Sequence, residues 1–246
     1  MLIPKTSNPT TVNNFWPISL CNVVYKIISK LLVAKLRPLL HKIISPCQSA
    51  FIPRRWIVEN QVVVHELLHS FKVRKVKSGF MALKFDLQKV YDRFNWKFIQ
   101  VVLSNLGFNP IFIKWILTCI SSVSFEVLIN GGKLNQFKPS KGLRQGNHLS
   151  SYLLILGQEV LSRMLDRKLS LGNLSGAKAS VRGPALTHVM YADDIVLFSK
   201  ATRKDAETLA SCLEKYCVWS GQSLNRTKSE IFFSKHTTAN CKRTIK

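Results

Sequence analysis

The ten residues from Val189 to Phe198 combine two short apolar runs with a pair of acids between them. Apolar and aromatic runs of this length favour β-strands, and the short polar side chains of Asp193 and Asp194 suit the turn of a hairpin. We therefore expect two antiparallel strands with both carboxylates at the exposed tip. Adjacent carboxylates repel each other, and the nearest following cation is Lys200, so a divalent metal ion is the natural counter-charge.

A second acid-bearing strand is predicted in the run from Met81 to Leu87. There Met81, Leu83 and Phe85 alternate along one face, and Asp86 falls on the other. A simple surface turn can also read Asp-Asp, but this chain has only 13 acids in 246 residues and places two of them side by side in an apolar hairpin. Two strands that each bring an acid to one sheet edge would form a site for two metal ions.

The charge balance limits the class of partner. The chain has 36 Lys and Arg against 13 Asp and Glu, a formal net charge of +23, which indicates a polyanionic partner. Its apolar stretches are too short or too interrupted by lysines to span a bilayer, and its first residues show no signal-peptide pattern. We expect one globular domain with subdomains that binds nucleic acid and no membrane.

The six cysteines fit reduced thiols of an intracellular protein. The nucleus, the cytoplasm and an organelle all remain open as its compartment.

Helical periodicity and turn signals predict most of the remaining elements. A first helix is expected from Ile18, and the proline at position 38 should end or kink it. Further helices are expected at Glu59–Phe71, Trp96–Leu106, Pro110–Ile120, Ser150–Lys168 and Lys204–Ser220. A final strand is expected at Ile231–Phe233. In the first helix the apolar stripe is Val23, Val24, Ile27, Ile28, Leu31 and Leu32, and Lys26 and Lys30 share another face, either solvated or facing phosphates.

Two connecting segments have a distinct composition. A hairpin is expected around Asn130-Gly131-Gly132, between Phe125–Ile129 and Phe137. The basic run Lys72 to Lys77 suits a solvated connector, a nuclear-localisation signal or a nucleic-acid contact.

Three motifs, in this order, resemble the reverse transcriptases of non-LTR (long interspersed element) retrotransposons, most of all those of plants. They are Asp86-Leu87-Gln88-Lys89-Val90-Tyr91-Asp92-Arg93, Gly142-Leu143-Arg144-Gln145-Gly146 and Tyr191-Ala192-Asp193-Asp194. Gln145 follows Asp86 by 59 residues, and Asp193 follows Gln145 by 48. Shorter matches extend the resemblance over nearly the whole chain: Leu2-Ile3-Pro4-Lys5, Pro17-Ile18-Ser19-Leu20, Gln48-Ser49-Ala50-Phe51, Val127-Leu128-Ile129-Asn130-Gly131, Leu224-Asn225 and Lys228-Ser229.

The resemblance implies an α+β fold, the fingers and palm of a right-handed polymerase, with an antiparallel palm sheet backed by helices and the thumb missing. Residues 1–80 would form part of the fingers, 81–234 the palm with a finger-like insertion near 125–150, and 235–246 a frayed basic tail. The implied activity is RNA-directed DNA polymerisation, with an RNA template, a DNA primer, deoxynucleoside triphosphates and two Mg²⁺ ions, or Mn²⁺ instead. No oligomeric state is predicted.

The resemblance also assigns roles to individual residues. Asp86 and Asp193 correspond to catalytic metal ligands, with Asp194 close to the metals. Tyr91 would lie beneath the incoming sugar and exclude a ribose 2′-hydroxyl, although core packing is the ordinary role of such a tyrosine. The other substrate-binding residues implied are Gln145 and Gly146 in the template and nucleotide pocket, Tyr191 at the primer end and Lys228 near the leaving phosphates. Asp92 is expected at a strand end or helix cap.

Three stretches depart from the family pattern. Trp16 stands where the family has an arginine that grips the triphosphate, so a charged bidentate group has become an indole. Asn147-His148-Leu149-Ser150-Ser151 replaces Asp-Pro-Leu-Ser-Pro, and Val90 replaces an alanine. These changes suggest a degenerate copy, and we expect the copy to be truncated as well. The alternatives at this point are an active polymerase domain, an inactive remnant that still binds nucleic acid and, fitting the motifs less well, an intron maturase-like protein.

Overall fold

A computed structural model of the chain describes residues 2–73, 79–129, 132–180 and 182–245. Most of the basic run predicted at 72–77 and the first two residues of the predicted 130–132 turn lie outside the described residues. The strands are β1 (Leu2–Pro4), β2 (Phe15–Pro17), β3 (Phe80–Phe85), β4 (Leu128–Ile129), β5 (Gly132–Lys133), β6 (His188–Tyr191), β7 (Asp194–Lys200) and β8 (Glu230–Phe233). The helices are α1 (Val23–Ile43), α2 (Ile57–Val73), α3 (Val90–Arg93), α4 (Trp96–Asn105), α5 (Pro110–Ser121), α6 (His148–Ser170), α7 (Arg203–Ser220) and α8 (Ala239–Ile245).

A four-stranded antiparallel sheet in the order β6-β7-β3-β8 forms the centre of the molecule. Strand β3 pairs with β7 from Phe80 opposite Lys200 to Phe85 opposite Ile195. Two small hairpins lie apart from it, β1 with β2 and β4 with β5. The α+β architecture expected of a fingers and palm fold is confirmed.

Other elements pack on both faces of the sheet, and the side chains of β3 alternate between the two faces. Met81 and Phe85 belong to the main core, which also contains buried leucines of α6 and α7. Phe80 and Ala82 point the other way and pack in a smaller cluster with Leu67 and Phe71 of α2. Four of the six positions of β3 are therefore buried and apolar, and Lys84 near its end is exposed.

Helix α1 differs from the sequence prediction in two ways. It continues through Pro38 to Ile43, so of the two predicted effects of the proline, an end or a kink, the end does not occur. Its buried face is Ser29, Leu32, Val33, Leu36 and Leu40, whereas most of the predicted apolar stripe is exposed, from Val23 at 70% to Leu31 at 63%. The burial of Leu36 and Leu40 on either side of Pro38 explains the continuation, because packing against the core outweighs the hydrogen bond that proline cannot donate.

The segment after β8 is also more ordered than predicted. Residues 239–245 form α8, and the Cys241 thiol lies 2.7 Å from the Ala201 carbonyl. Residues 239–245 are therefore not frayed, because a side-chain contact ties α8 to the end of β7. All six cysteines are free. None of the helices in the described part of the chain has the length and apolarity needed to cross a bilayer.

Gly157 of α6 provides a test of the core. A β-carbon at this position would collide with the ring of Phe94, which is fully buried, and would come within 3.4 Å of Phe98. Helix propensity alone would make Gly157→Ala stabilising by about 1 kcal/mol. We instead expect the variant to lose roughly 1–3 kcal/mol of unfolding free energy in urea titrations, because overpacking dominates. Phe94→Leu should relieve the collision, so a double-mutant cycle should give a favourable coupling; an unchanged or raised stability of Gly157→Ala would contradict the packing.

Candidate active site

The acidic hairpin has a two-residue turn made of Ala192 and Asp193. Tyr191 at the end of β6 pairs with Asp194, so Asp194 is the first residue of β7 and the expected tip is displaced by one residue. Ala192 has a φ of +50°, in the left-handed region. This conformation turns the chain one residue earlier than an Asp-Asp turn would, and it leaves Asp193 alone at the exposed tip.

Asp86 lies beside this hairpin at the end of the central strand. Strand β3 ends at Phe85, opposite Ile195, so Asp86 follows the strand rather than lying within it, and it comes level with Asp194. Although the Asp193 side chain is exposed, partial desolvation raises the pKa of its carboxyl, and the charges of Asp194 and Asp86 raise it further. The three carboxylates therefore share one edge of the sheet and repel each other.

Asn225 orients the Asp86 carboxylate. Its side-chain amide donates to Asp86 Oδ2 at 3.1 Å, and its backbone N–H donates to the Asp86 carbonyl at 2.8 Å. Lys228 follows one turn later, with its N–H donating to the Asn225 carbonyl at 3.2 Å and its side chain exposed. The short Leu224-Asn225 match in the sequence signalled this residue, but its partner was not predictable, because 139 residues separate Asn225 from Asp86.

The acids match what a Mg²⁺ site requires. In the described part of the chain, no ion pair joins Asp86, Asp193 or Asp194 to a Lys or Arg. Among the described residues, no three His, Cys, Asp or Glu side chains are grouped closely enough to hold a metal ion by themselves. Mg²⁺ is commonly held by one or two carboxylates, waters and the phosphates of the substrate rather than by a complete protein cage. Open, mutually repelling carboxylates fit that mode of binding.

Tyr91 is held against the acids by α3 and α6. Burial raises the pKa of the Tyr91 phenol, a hydrogen bond with Ser151 lowers it, and the charge of Asp193 raises it. Its carbonyl accepts the N–H of Leu143 at 2.6 Å. The phenol is thus within electrostatic reach of Asp193, while its place below a sugar stays a prediction. Tyr191, on the other side of Asp193, is 41% exposed at the end of β6.

The Gly142–Gly146 loop packs on α3 and on the end of β2. A β-carbon at Gly142 would lie 2.7 Å from the Asp92 carbonyl oxygen, so the close approach requires glycine. Gln145 accepts the Ser19 N–H at 3.0 Å through its carbonyl, and its side chain hydrogen-bonds Asp92. Burial raises the pKa of the Asp92 carboxyl, which Lys89 and Lys5 counteract. Asp92 is therefore not a helix cap but the partner of Gln145, a role that the sequence prediction missed.

Arg144 anchors the same loop to the helices. Its guanidinium lies 3.5 Å from the centre of the Tyr25 ring and donates to the Cys119 carbonyl at 3.2 Å. Burial raises the pKa of Tyr25 to about 12, although the charge of Arg144 opposes this shift. The Arg144 guanidinium thus contacts both α1 and α5, and these contacts fix the position of the loop relative to the acids.

The departures from the family pattern have different structural consequences. Asn147 is 6% exposed and caps α6 through a hydrogen bond from the Leu149 N–H at 2.9 Å, a task that asparagine performs as well as aspartate. Trp16 lies on β2, half exposed, with the Lys5 ammonium 5.9 Å from its ring centre. A cation therefore lies near the indole that replaces the expected arginine.

A mixed fold whose antiparallel sheet carries three carboxylates at one edge, between an aromatic residue and a glycine-containing loop, defines the palm of a right-handed polymerase. The sequence model of the family described as reverse transcriptase (RNA-dependent DNA polymerase) matches residues 3–242, and the chain belongs to this family. The predicted class is confirmed.

Relatives from retrotransposons match nearly the whole chain. It is 29% identical over 230 residues to the transposon TX1 uncharacterized 149 kDa protein of Xenopus laevis, covering 93% of this chain and 17% of that protein. It is 27% identical over 230 residues to the retrovirus-related Pol polyprotein from the type-2 retrotransposable element R2DM of Drosophila melanogaster, covering 93% and 20%. The chain thus spans a fifth or less of these relatives, and it is a reverse transcriptase domain of the non-LTR retrotransposon type.

Solved structures support the same fold. The telomerase of Candida tropicalis, in complex with a fragment of telomeric RNA, superposes with a TM-score of 0.57 over 87% of this chain and 34% of that one, at 14% sequence identity. At this identity the similarity concerns the fold alone.

Proposed function

We propose that this chain catalyses RNA-directed DNA synthesis by nucleotidyl transfer to a primer 3′-hydroxyl. The observation that carries the proposal is the grouping of Asp86, Asp193 and Asp194 at one sheet edge, with Asn225 orienting the first of them. Two divalent cations bound there would activate the hydroxyl and neutralise the leaving pyrophosphate. We assign Asp86 and Asp193 as their main ligands, with Asp194 as a neighbouring charge.

The surrounding residues would position the substrates. Tyr91, held by Ser151 near Asp193, offers a ring below the incoming sugar that leaves no room for a 2′-hydroxyl. Gln145 and Gly146 would line the template and nucleotide pocket, because the loop that carries them is fixed to α3 and β2. Tyr191 would contact the primer end, and the exposed Lys228 would approach the leaving phosphates.

Primer extension on poly(rA)/oligo(dT) with Mg²⁺ tests the proposal. Incorporation of dTTP that depends on Mg²⁺ or Mn²⁺ and is lost in Asp86→Asn is the expected result. Glu214→Gln, on the exposed side of α7, removes the same charge outside the site and serves as the control. No incorporation by the parent chain, or equal incorporation by Asp86→Asn, would reject the proposal.

The proposal also includes the lineage of the element from which the chain comes. We assign the chain to the plant lineage of these elements, which is supported by 45% identity over 67 residues to an uncharacterized mitochondrial protein of Arabidopsis thaliana, covering 27% of this chain and 55% of that protein. The second candidate, an inactive remnant that binds nucleic acid, is favoured by Trp16 in place of the arginine.

Nucleic-acid binding is predicted for both candidates from the net charge of +23. Affinity for single-stranded RNA should fall by roughly 10³-fold between about 50 and 200 mM salt, because displaced counterions drive the association. Filter binding or fluorescence anisotropy at several salt concentrations measures the slope. A poly(rA) and a mixed-sequence RNA of equal length should give the same slope, and an affinity independent of salt would contradict phosphate contacts.

The Trp16→Arg variant tests whether residue 16 contributes to nucleotide binding. If residue 16 faces the triphosphate, the new guanidinium adds charge-assisted hydrogen bonds of about 1.5–3 kcal/mol, so kcat/KM for dTTP should rise roughly tenfold or more. Trp56→Arg, at a tryptophan that is 68% exposed, adds the same charge elsewhere and should leave kcat/KM unchanged. Equal values for the parent and Trp16→Arg would show that this position does not touch the nucleotide.

A further inference from the structure

The turn that presents Asp193 has a backbone conformation that a non-glycine residue rarely adopts. Ala192 is in the left-handed region with a φ of +50°, and its methyl group is buried at 7% exposure. A β-carbon makes this region unfavourable, so surrounding contacts must hold the residue there. Its N–H donates to Gln48 Oε1 at 3.1 Å, and this bond spans 144 residues of sequence.

Gln48 has little freedom to turn away from the hairpin. It is 2% exposed, and its Oε1 also accepts the N–H of Ala50 at 3.0 Å. Its Nε2 donates to Oε1 of Gln158, a fully buried residue of α6, at 3.1 Å. Because the amide nitrogen is committed to Gln158, the amide oxygen must face Ala192.

The segment around Gln48 is itself fastened along β6. The Met190 N–H donates to the Cys47 carbonyl at 2.8 Å, and the Ser49 N–H donates to the Met190 carbonyl at 3.2 Å. Asn60 of α2 donates to the carbonyls of Cys47 and Met190 at 3.0 and 3.1 Å. The segment thus forms a parallel β-bridge to β6, the outer strand of the sheet. These hydrogen bonds fix the backbone from which the Gln48 side chain reaches the turn.

Arg55 also holds the backbone of this segment through hydrogen bonds. Its guanidinium donates to three backbone carbonyls, those of Ile44, Ser45 and Gln48, at no more than 2.8 Å. A single side chain therefore holds the loop that leads from α1 to Gln48. Among the hydrogen bonds of the described residues, the Gln48 amide is the one group of this loop that contacts the turn at Ala192.

We propose that Gln48 is a positioning residue for the acidic hairpin: its amide oxygen holds Ala192 in the left-handed conformation and so directs the Asp193 carboxylate towards Asp86. The inference rests on the proposed function for its effect on catalysis, while the effect on the turn stands apart from it. Gln48 touches neither the acids nor a substrate, and it acts through the backbone of Ala192 alone.

Gln48→Met tests the proposal, because methionine fills nearly the same volume without a hydrogen bond. In single-nucleotide incorporation, kcat should fall about tenfold while KM for dTTP stays within about twofold, since misplaced acids weaken the reaction more than substrate binding. Adding Ala192→Gly should restore at least part of kcat, because glycine adopts the left-handed φ without help. A role in packing alone predicts neither the loss nor the rescue.

Hydrogen exchange separates this proposal from the proposed function. In Gln48→Met the Ala192 amide should exchange faster than in the parent, whereas Gln222→Met, the same change at a buried glutamine that hydrogen-bonds the Val90 carbonyl instead, should leave the exchange of Ala192 unchanged. An unchanged kcat in Gln48→Met, or a double variant no faster than Gln48→Met, overturns the proposal. If the parent incorporates no nucleotide, the proposed function fails, and the exchange of Ala192 decides the role of Gln48: equal rates in parent and Gln48→Met overturn it.

Discussion

Replacing Asp193 by asparagine should reduce nucleotide incorporation by about 10³-fold or more. The change removes one proposed metal ligand from the edge where Asp86, Asp193 and Asp194 lie together, and the charge that a bound metal ion stabilises in such a transition state is worth several kcal/mol. Asp194→Asn should cost less, because Asp194 is a residue of β7 paired with Tyr191 rather than the exposed tip of the turn. Steady-state incorporation of dTTP at saturating Mg²⁺ measures both effects.

The order of these two losses is the critical result. Circular dichroism and urea unfolding of both variants must match the parent, so that the loss reports chemistry and not folding. Asp166→Asn, an exposed acid of α6, should incorporate nucleotide at the parental rate. Equal activity of Asp193→Asn and the parent, or a larger loss in Asp194→Asn, would show that the turn does not present the principal ligand.

The second large effect concerns the pH dependence of stability, and it arises from His188. This residue of β6 is fully buried, with its ring nitrogens 2.7 Å from Ser162 Oγ and 2.8 Å from Thr187 Oγ1. Burial lowers the pKa of His188 from 6.5 to about 4. The unfolded chain therefore takes up a proton more readily than the folded one, and folding stability that is present above pH 6.5 is lost as the pH falls towards 4.

The expected loss from His188 is about 3 kcal/mol between pH 7 and pH 4, because each unit of pKa difference corresponds to 1.36 kcal/mol. Four acids act in the opposite direction, because desolvation raises their pKa values and this favours the folded state as the pH falls: Asp92, Glu159, Asp166 and Asp193. The difference between parent and variant, rather than the profile of the parent alone, isolates the histidine.

Urea unfolding of the parent and His188→Asn at pH 7, 6, 5 and 4 makes the comparison. The variant should be the less stable protein at pH 7, where it loses a well-packed ring, and the gap should narrow steadily towards pH 4. The exposed His41→Gln should leave the profile of the parent unchanged. A gap that stays constant over this range would mean that His188 is not kept neutral by the fold.

The resemblance carried by three short motifs predicted the family correctly, and the reason lies in the chemistry of the site. Two acids on separate strands, an aromatic residue and a glycine-bordered glutamine are positions that the reaction constrains directly. The roles of the individual residues remain predictions, but the fold brings Asp86, Tyr91, Asp193 and Asp194 into one group, and Gln145 lies in the loop beside Tyr91.

Other positions were less predictable because their partners are far away in sequence. Asn225 meets Asp86 across 139 residues, and Gln48 meets Ala192 across 144. In the sequence, each belongs to a short match to the family, but the match does not show which group its side chain contacts. Asp92 was expected at a strand end or a helix cap for the same reason, since its partner Gln145 comes from a loop that the linear pattern does not place.

The sequence by itself determined the elements that local periodicity encodes: the two strands that carry the acids, the helices α4 to α7 within a few residues, and the glycine that ends α7 with a φ of +76°. Tertiary structure alone decided where strands end and which apolar faces are buried. Helix α1 passes Pro38 because Leu36 and Leu40 are buried, its predicted stripe faces water, and the hairpin turns at Ala192 rather than between the acids. Each outcome depends on contacts between distant segments, whose free energy exceeds the local preference that the pattern records.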